Sequence, residues 1–217
     1  ILMTAVLLTL LTTMRLSLAL AEAEPRIFFH SNRESMRPDD QNCVRIPWNQ
    51  VWSVRADGSD LKQYTFGCDY NWFLTVSPDG MRVVWTSQRL GFSPSQYRGF
   101  SVWIGTTDGS PLVLGGTTSQ QVLVEYGWRP SFSYDGQRVI FMRPTPHPTT
   151  GVQYNQFYSV AINGTDERRV SFTDGSVEIE PMYSPNGTVI VWTRQEQDNN
   201  DLNVWRMNAD GSGAARL

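Results

Sequence analysis

The stretch Val76-Ser77-Pro78-Asp79-Gly80, followed by the apolar run Val83-Val84-Trp85, decides the fold of this 217-residue chain, because it recurs. It returns as Phe132-Ser133-Tyr134-Asp135-Gly136 before Val139-Ile140-Phe141, and as Tyr183-Ser184-Pro185-Asn186-Gly187 before Val189-Ile190-Val191-Trp192. In each copy the closing aromatic residue lies eight positions after the serine. Asp-Gly and Asn-Gly favour tight hairpin turns because these residues tolerate a positive φ. Each copy therefore predicts two short strands joined by a hairpin.

A second motif alternates with the first: an aromatic-rich strand that ends in an Asp-Gly-Ser or Asn-Gly-Thr turn. Its four copies are Val51 to Ser59, Val102 to Ser110, Phe157 to Thr165 and Val204 to Ser212. Their turn glycines are separated by 51, 55 and 47 residues. The flanking β-branched and aromatic residues suit a buried pleated sheet. Two hairpin turns in each period predict an all-β array of four-stranded units.

Together, the Ser-Pro-Asp-Gly element, the apolar strand and the aromatic strand ending in Asp-Gly-Ser resemble the TolB-type, WD40-like (PD40) β-propeller repeat. The resemblance covers residues 26–217 and implies an all-β fold, a β-propeller fragment of about four four-stranded blades. A complete ring of that family holds more blades, and TolB itself carries an α/β domain ahead of its propeller. We therefore expect a TolB-like propeller over residues 24–217 that is truncated at its C-terminus. Its first blade should lack the innermost strand, because Ile27 aligns with Val83.

The first residues of the chain have the composition of an export signal. Residues 1–21 are apolar or small except for Arg15, and the small residues of Ala19 to Ala23 suit a signal peptidase. We interpret residues 1–23 as a helical signal peptide, incomplete at its start because the chain begins with Ile1 and has no basic n-region. A membrane anchor is the alternative, since the apolar run is nearly long enough to span a bilayer. Either way the sequence predicts an exported protein, periplasmic or extracellular, that meets a membrane only through an uncleaved signal.

Composition excludes several classes of function. Eighteen basic and twenty-one acidic side chains give a formal net charge of −3, without any basic run, so nucleic acid is an unsuitable partner. Two His and two Cys are too few for a Cys/His zinc site. The chain has no Gly-x-Ser-x-Gly nucleophile motif and no glycine-rich phosphate loop, and His30 and His147 are the only candidate general bases. We expect no cofactor, no metal site and no catalytic residue within this chain.

The blade topology indicates where recognition residues should lie. With strands A to D in chain order, the two turn motifs join A to B and C to D on one side of the disk, which we call the turn face. The longer B–C and D–A connections emerge on the other side, the loop face. Trp, Tyr and Arg in loops on a rigid scaffold are typical binding anchors. The predicted binding residues on the loop face are Arg45, Trp48, Tyr70, Trp72, Tyr97, Arg98, Tyr126, Trp128, His147 and Tyr154. Alternatively, these aromatic residues only pack the loops against the blade ends.

The two cysteines also fall on the predicted loop face. Cys43 lies in the first B–C loop, which spans residues 31–50, and Cys68 lies in the D–A connection of residues 66–72. In an exported protein a disulfide between them would fix a long loop. Two free thiols are the alternative.

These observations favour an exported, non-catalytic β-propeller scaffold that binds a protein or an envelope polymer. A second hypothesis comes from propellers that precede the hydrolase domain of prolyl-oligopeptidase-type serine peptidases. In that case the hydrolase domain would be missing from this chain. A glycan-binding or glycan-cleaving propeller is a third, suggested only by the aromatic loops.

Overall fold

A computed structural model describes residues 25–33, 49–67, 69–88, 99–110, 112, 118–172, 176–196 and 201–217. This part of the chain forms fifteen β-strands and no helix. The predicted signal helix and the boundary at residue 23 lie outside it. The all-β class predicted from the turn motifs is therefore confirmed over the described ranges.

The strands form four antiparallel sheets, each built from consecutive strands. Blade 1 contains β1 (Arg26–Ser31), β2 (Gln50–Arg55) and β3 (Lys62–Gln63). Blade 2 contains β4 (Asn71–Val76), β5 (Arg82–Ser87), β6 (Ser101–Thr106) and β7 (Gln120–Val124). Blade 3 contains β8 (Trp128–Phe132), β9 (Arg138–Pro146), β10 (Gln153–Ala161) and β11 (Arg168–Arg169). Blade 4 contains β12 (Val177–Tyr183), β13 (Val189–Gln195), β14 (Leu202–Asn208) and β15 (Ala215–Arg216). Over the described residues, blade 1 has three strands where the others have four, and β1 corresponds to the second strand of each four-stranded blade.

The serine of the first turn motif fixes the hairpin between strands A and B. In blade 2, the backbone N–H of Arg82 donates to Ser77 Oγ at 2.8 Å. The same bond recurs from Arg138 to Ser133 at 2.9 Å and from Val189 to Ser184 at 3.0 Å. The repeat in the sequence is therefore a repeat in hydrogen bonding, which explains the constant spacing from serine to strand.

The blades pack face to face in chain order through apolar side chains. Between blades 1 and 2, Val51 packs with Val83 and Trp85. Between blades 2 and 3, Ile104 belongs to the same buried cluster as Phe141. A third cluster joins blades 3 and 4. The inner strands also contact one another in order, β4 with β8 and β8 with β12, as the blades of a propeller must.

One face of blade 4 lacks the cover that the other blades have. Val51, Val102 and Phe157 occupy equivalent positions in blades 1 to 3, and each is 0% exposed. Val204 is their equivalent in blade 4 and is 53% exposed. Val204 therefore adds apolar surface to the exposed face of blade 4.

The connection between the second and third strands of blade 3 differs from the expectation. The spacing predicts a loop from residue 143 to residue 156, but β9 and β10 continue as a paired ribbon up to Pro146 and Gln153, and only residues 147–152 form the loop. The last residue of β9 that pairs with β8 is Met142, so β9 is an edge strand beyond that residue. Pro144 and Pro146 lie in this part of β9, where a proline does not interrupt pairing with a strand on that side.

Candidate functional site

The loop face of blades 2 and 3 is formed where the inner strands begin. β4 starts at Asn71 and β8 starts at Trp128. Trp72 and Trp128 therefore lie at the start of the inner strands of blades 2 and 3. Tyr70 and Tyr126 precede them in the D–A connections. Of the other predicted loop-face residues, His147 and Tyr154 are also described. Arg45, Trp48, Tyr97, Arg98 and both cysteines, Cys43 and Cys68, lie outside the described residues, so their roles stay predictions.

Four aromatic rings form a continuous series across the loop face. The ring centroids of Tyr70 and Trp72 are 5.0 Å apart, those of Trp72 and Phe100 are 5.6 Å apart, and those of Phe100 and Trp128 are 5.6 Å apart. All three contacts are edge-to-face, an arrangement in which the positive ring edge meets the negative ring face. We call this row of four rings the aromatic series. It joins blade 2 to blade 3 and keeps its rings half-buried, so part of each remains open to solvent.

Sequence reasoning missed Phe100, which links the two tryptophans. It lies directly before β6 and outside the residues chosen as anchors. The backbone carbonyl of Phe100 accepts a hydrogen bond of 3.1 Å from the N–H of Gly127. Its position at the end of a B–C loop was the only available signal, because nothing in the motif marks that residue.

A second inter-blade row lies next to the aromatic series, one residue further along each inner strand. The Arg129 guanidinium lies over the Phe73 ring, 4.3 Å from its centroid, and forms an ion pair with Glu180 Oε1. Phe73, Arg129 and Glu180 are equivalent residues of blades 2, 3 and 4. Each sits at a bulge with a positive φ, of 52°, 52° and 59° respectively. Burial lowers the pKa of Arg129, but a guanidinium stays charged at neutral pH.

Buried polar groups hold the connection that carries Tyr70. Gln50 is 0% exposed, and its side-chain amide donates to the carbonyl oxygens of Gly67 and Asp69, both at 3.0 Å. Its Oε1 accepts from Thr65 Oγ1 at 2.7 Å and from Asn71 Nδ2 at 3.1 Å. A buried, well-satisfied amide of this kind fixes a loop, because breaking any one bond leaves a polar group without water. The loop face is therefore preorganised in blade 2.

The β9–β10 ribbon extends the loop face at blade 3. Its strands have nine residues, against six in β5 and β6, so it projects by about 10 Å. The backbone N–H of His147 donates to the carbonyl of Val152 at 2.8 Å and closes the tip. The ring centroids of His147 and Tyr154 lie 6.2 Å apart, with their planes at 80°. These two predicted anchors therefore lie together on the ribbon.

The two histidines, which are the candidate general bases, lie on different blades. His30 lies on β1 and His147 at the ribbon tip. Among the described residues, no group of three or more His, Cys, Asp or Glu side chains is placed to hold a metal ion. The described ranges likewise contain no helix that could cross a bilayer.

Aspartates of the turn face are hydrogen-bonded in a way that favours their charged form. The Ser77 hydroxyl lowers the pKa of Asp79, and the Ser133 hydroxyl does the same for Asp135. In the C–D turns, hydrogen bonds from Ser110 lower the pKa of Asp108. The pKa values of Asp57, Asp60 and Asp210 are lowered by hydrogen bonds from Ser59, Arg26 and Ser212.

We expect acid to destabilise the protein through these turns. The pKa values of these aspartates in the folded protein lie below the unfolded value of about 3.9. The charged aspartates therefore contribute fully to the free energy of unfolding above about pH 4, and that contribution is lost as the pH falls through the folded pKa values. Urea unfolding at pH 7, 5, 4 and 3 should show a loss concentrated below pH 4. Asp135→Asn should reduce that loss, because Asn186 already makes the equivalent turn bonds in blade 4. A stability that stays constant down to pH 3 would contradict this prediction.

Together, the sheet topology, the inter-blade packing and the two faces define the class of the protein as a β-propeller. The resemblance seen in the repeat is thereby confirmed for the fold, which is similar to that of TolB-type propellers. Solved TolB from Acinetobacter baumannii superposes with a TM-score of 0.56 at 18% identity, covering 78% of this chain and 37% of that one. A putative TolB from Agrobacterium tumefaciens gives 0.57 at 20% identity, covering 80% and 57%. A chain of the nidogen/laminin complex gives 0.54 at 11% identity, covering 77% and 57%.

These similarities concern the fold. No protein-family model matches the sequence, and no curated protein matches it. The part of the chain that superposes spans between about two fifths and three fifths of the length of the three solved chains. Propellers of one fold carry many unrelated functions, so function has to be argued from the site.

Proposed function

We propose that this protein is an exported, non-catalytic binding scaffold that recognises a protein or an envelope polymer through its loop face. The observation that carries the proposal is the aromatic series of Tyr70, Trp72, Phe100 and Trp128. It is continuous across two blades and half-buried, and its first member, Tyr70, lies on the connection that the Gln50 amide fixes. Export rests on the signal-like residues 1–23.

The chemistry of the series suits recognition. Large aromatic side chains give a partner much contact area and lose little conformational entropy when they are already fixed. Arg129 and Glu180 add one charge of each sign beside the rings, and they neutralise each other. A partner with apolar or aromatic groups and few charges would fit such a surface. The ribbon tip at residues 147–152 would contact the same partner from one side.

The solved neighbours make a protein partner the first candidate. One of them is a chain from a complex between nidogen and laminin, so a propeller of this shape is known in a protein–protein complex. At 11% identity the comparison supports a protein as the class of partner but says nothing about which protein is bound. An envelope polysaccharide remains the second candidate, because sugar rings also stack on exposed aromatic faces.

Site-specific photo-crosslinking in the cells that produce the protein tests the proposal. The photoreactive residue p-benzoylphenylalanine would replace Tyr126, which is 42% exposed, or Val152, which is 50% exposed at the ribbon tip. Replacement of the exposed Thr165 on the turn face is the matched control. We expect both loop-face positions to give the same adduct, and position 165 to give none of it. Absence of an adduct from both loop-face positions, or equal adducts from all three, would contradict the proposal.

A further inference from the structure

The turn face of blades 2, 3 and 4 contains a cleft of about 490 Å³. Its lining comes from the last residues of the three inner strands and from their A–B turns. The side chains that matter are Thr75, Pro78, Phe132, Tyr134, Met182 and Pro185. Because the inner strands run from the loop face to the turn face, this cleft lies at the opposite end of the blades from the aromatic series. Its volume is within the range of small-ligand and side-chain pockets.

The cleft is apolar and contains two unusually exposed side chains. Met182 is 54% exposed and Tyr134 is 56% exposed, although both belong to the region nearest the inner strands. No Asp, Glu, Lys, Arg or His side chain lines the cleft. Large apolar side chains that stay exposed in a concave site are typical of a binding surface.

Tyr134 differs from the residue at the same position of the other repeats, and the A–B turn of blade 4 leaves room for its ring. Blades 2 and 4 have Pro78 and Pro185 at the equivalent position. The Tyr134 ring lies against Gly187 of blade 4, where an added Cβ would come within 2.5 Å of the ring. The ring therefore forms a fixed wall of the cleft, made possible by a glycine on the next blade.

The A–B turns that line the cleft carry two carboxylates. Asp79 and Asp135 follow Pro78 and Tyr134 directly, and their carboxylates are held ionised by serine hydroxyls. Arg82 lies 3.9 Å from Asp79. Arg138 also lowers the pKa of Asp135 through its charge, but its guanidinium forms an ion pair with Asp166 at 2.6 Å. An apolar floor with carboxylates in its turns complements an apolar group flanked by positive charges.

We propose that this turn-face cleft is a second docking site, which takes a polypeptide segment that presents an apolar or aromatic side chain next to Lys or Arg. The apolar side chain enters between Tyr134 and Met182. The flanking cations lie near Asp79 and Asp135. The site is separate from the loop face and does not depend on what the loop face binds.

Selection from a displayed library of random nine-residue peptides on the full chain tests this site without assuming a ligand. We expect enriched peptides to carry an aromatic or large aliphatic residue flanked by Lys or Arg. Two variants change the cleft while keeping residues that the repeat already uses. Tyr134→Pro restores the residue of blades 2 and 4, and Asp135→Asn copies Asn186. The Tyr126→Ser variant alters only the loop face and serves as the control.

The dissociation constant of an enriched, fluorescein-labelled peptide would then be measured by fluorescence anisotropy. Tyr134→Pro should weaken binding at least about tenfold, and Asp135→Asn about threefold with a smaller dependence on salt. Tyr126→Ser should leave it unchanged. The inference is overturned if no peptide is enriched, if acidic peptides are enriched, or if Tyr134→Pro binds like the unmodified chain. Loss of loop-face crosslinks would leave these results unaffected, so the two proposals fail separately.

Discussion

Gly127→Ala is expected to lower the free energy of unfolding by about 3 kcal/mol, the upper end of the cost of overpacking a core. A Cβ at this position would lie 2.5 Å from Cδ2 of Phe141 and 3.3 Å from the carbonyl oxygen of Met142. Phe141 is 0% exposed, so its ring has no free space to move into. Gly127 also precedes Trp128, and the substitution should displace that ring from the aromatic series.

The matched control is Gly109→Ala. Gly109 has a φ of +82°, but no heavy atom lies within 4 Å of an added Cβ. Only the left-handed backbone opposes this substitution, at about 1 kcal/mol. Urea unfolding of both variants gives the comparison. Adding Phe141→Leu to Gly127→Ala should recover part of the loss, because the smaller side chain makes room for the methyl group. Equal costs for the two single variants would show that Gly127 is not in contact with the core.

Gln50→Leu is expected to cost a similar amount, about 3 kcal/mol, for a different reason. Leucine fills much of the same volume but removes the side-chain amide that donates to the carbonyl of Gly67. It leaves the carbonyl of Asp69 with Asn71 Nδ2 as its side-chain donor. The Thr65 hydroxyl and the Asn71 amide each lose one acceptor. Each buried polar group that loses its partner costs about 1 kcal/mol or more. The connection that carries Tyr70 should loosen as well. Faster amide hydrogen exchange at residues 67–71 would report this directly.

Gln63→Leu is the control for the loss of a glutamine amide. Gln63 is half-buried and donates one bond, of 2.8 Å, to the carbonyl of Thr65. Water can replace that bond, so the change in unfolding free energy should stay below about 0.5 kcal/mol. A Gln50→Leu variant as stable as Gln63→Leu, with unchanged exchange at residues 67–71, would contradict the assigned role of Gln50.

Much of the fold could be predicted because the hairpin turns have local causes. Ser77 and its two equivalents bond within their own turns, so the strands and their register follow from a few adjacent residues. The position of β1 as the second strand of its blade followed from the alignment of Ile27 with Val83. The placement of Trp72 and Trp128 at the start of inner strands required only the blade topology.

The remaining features depend on contacts between blades, which no local pattern specifies. The row of Phe73, Arg129 and Glu180 requires a positive φ at three residue types that rarely adopt it. The turn-face cleft requires Tyr134 to meet Gly187, 53 positions later in the chain. The extra length of β9 and β10 could not be predicted because the local sequence, with its prolines, favours a loop. Those prolines are compatible with a strand only because β9 is an edge strand at that point.

The central claim is that blades 2 and 3 pack side by side so that their aromatic residues form one surface. A nuclear Overhauser spectrum of protein labelled selectively at Phe and Trp tests it most directly. We predict a cross-peak between the Phe100 ring and the Trp128 indole, whose centroids are 5.6 Å apart. The stacked pair Trp85 and Trp103 within blade 2, at 6.3 Å, is the internal reference. A spectrum with the reference peak but without the peak between Phe100 and Trp128 would contradict the propeller arrangement and the loop-face site with it.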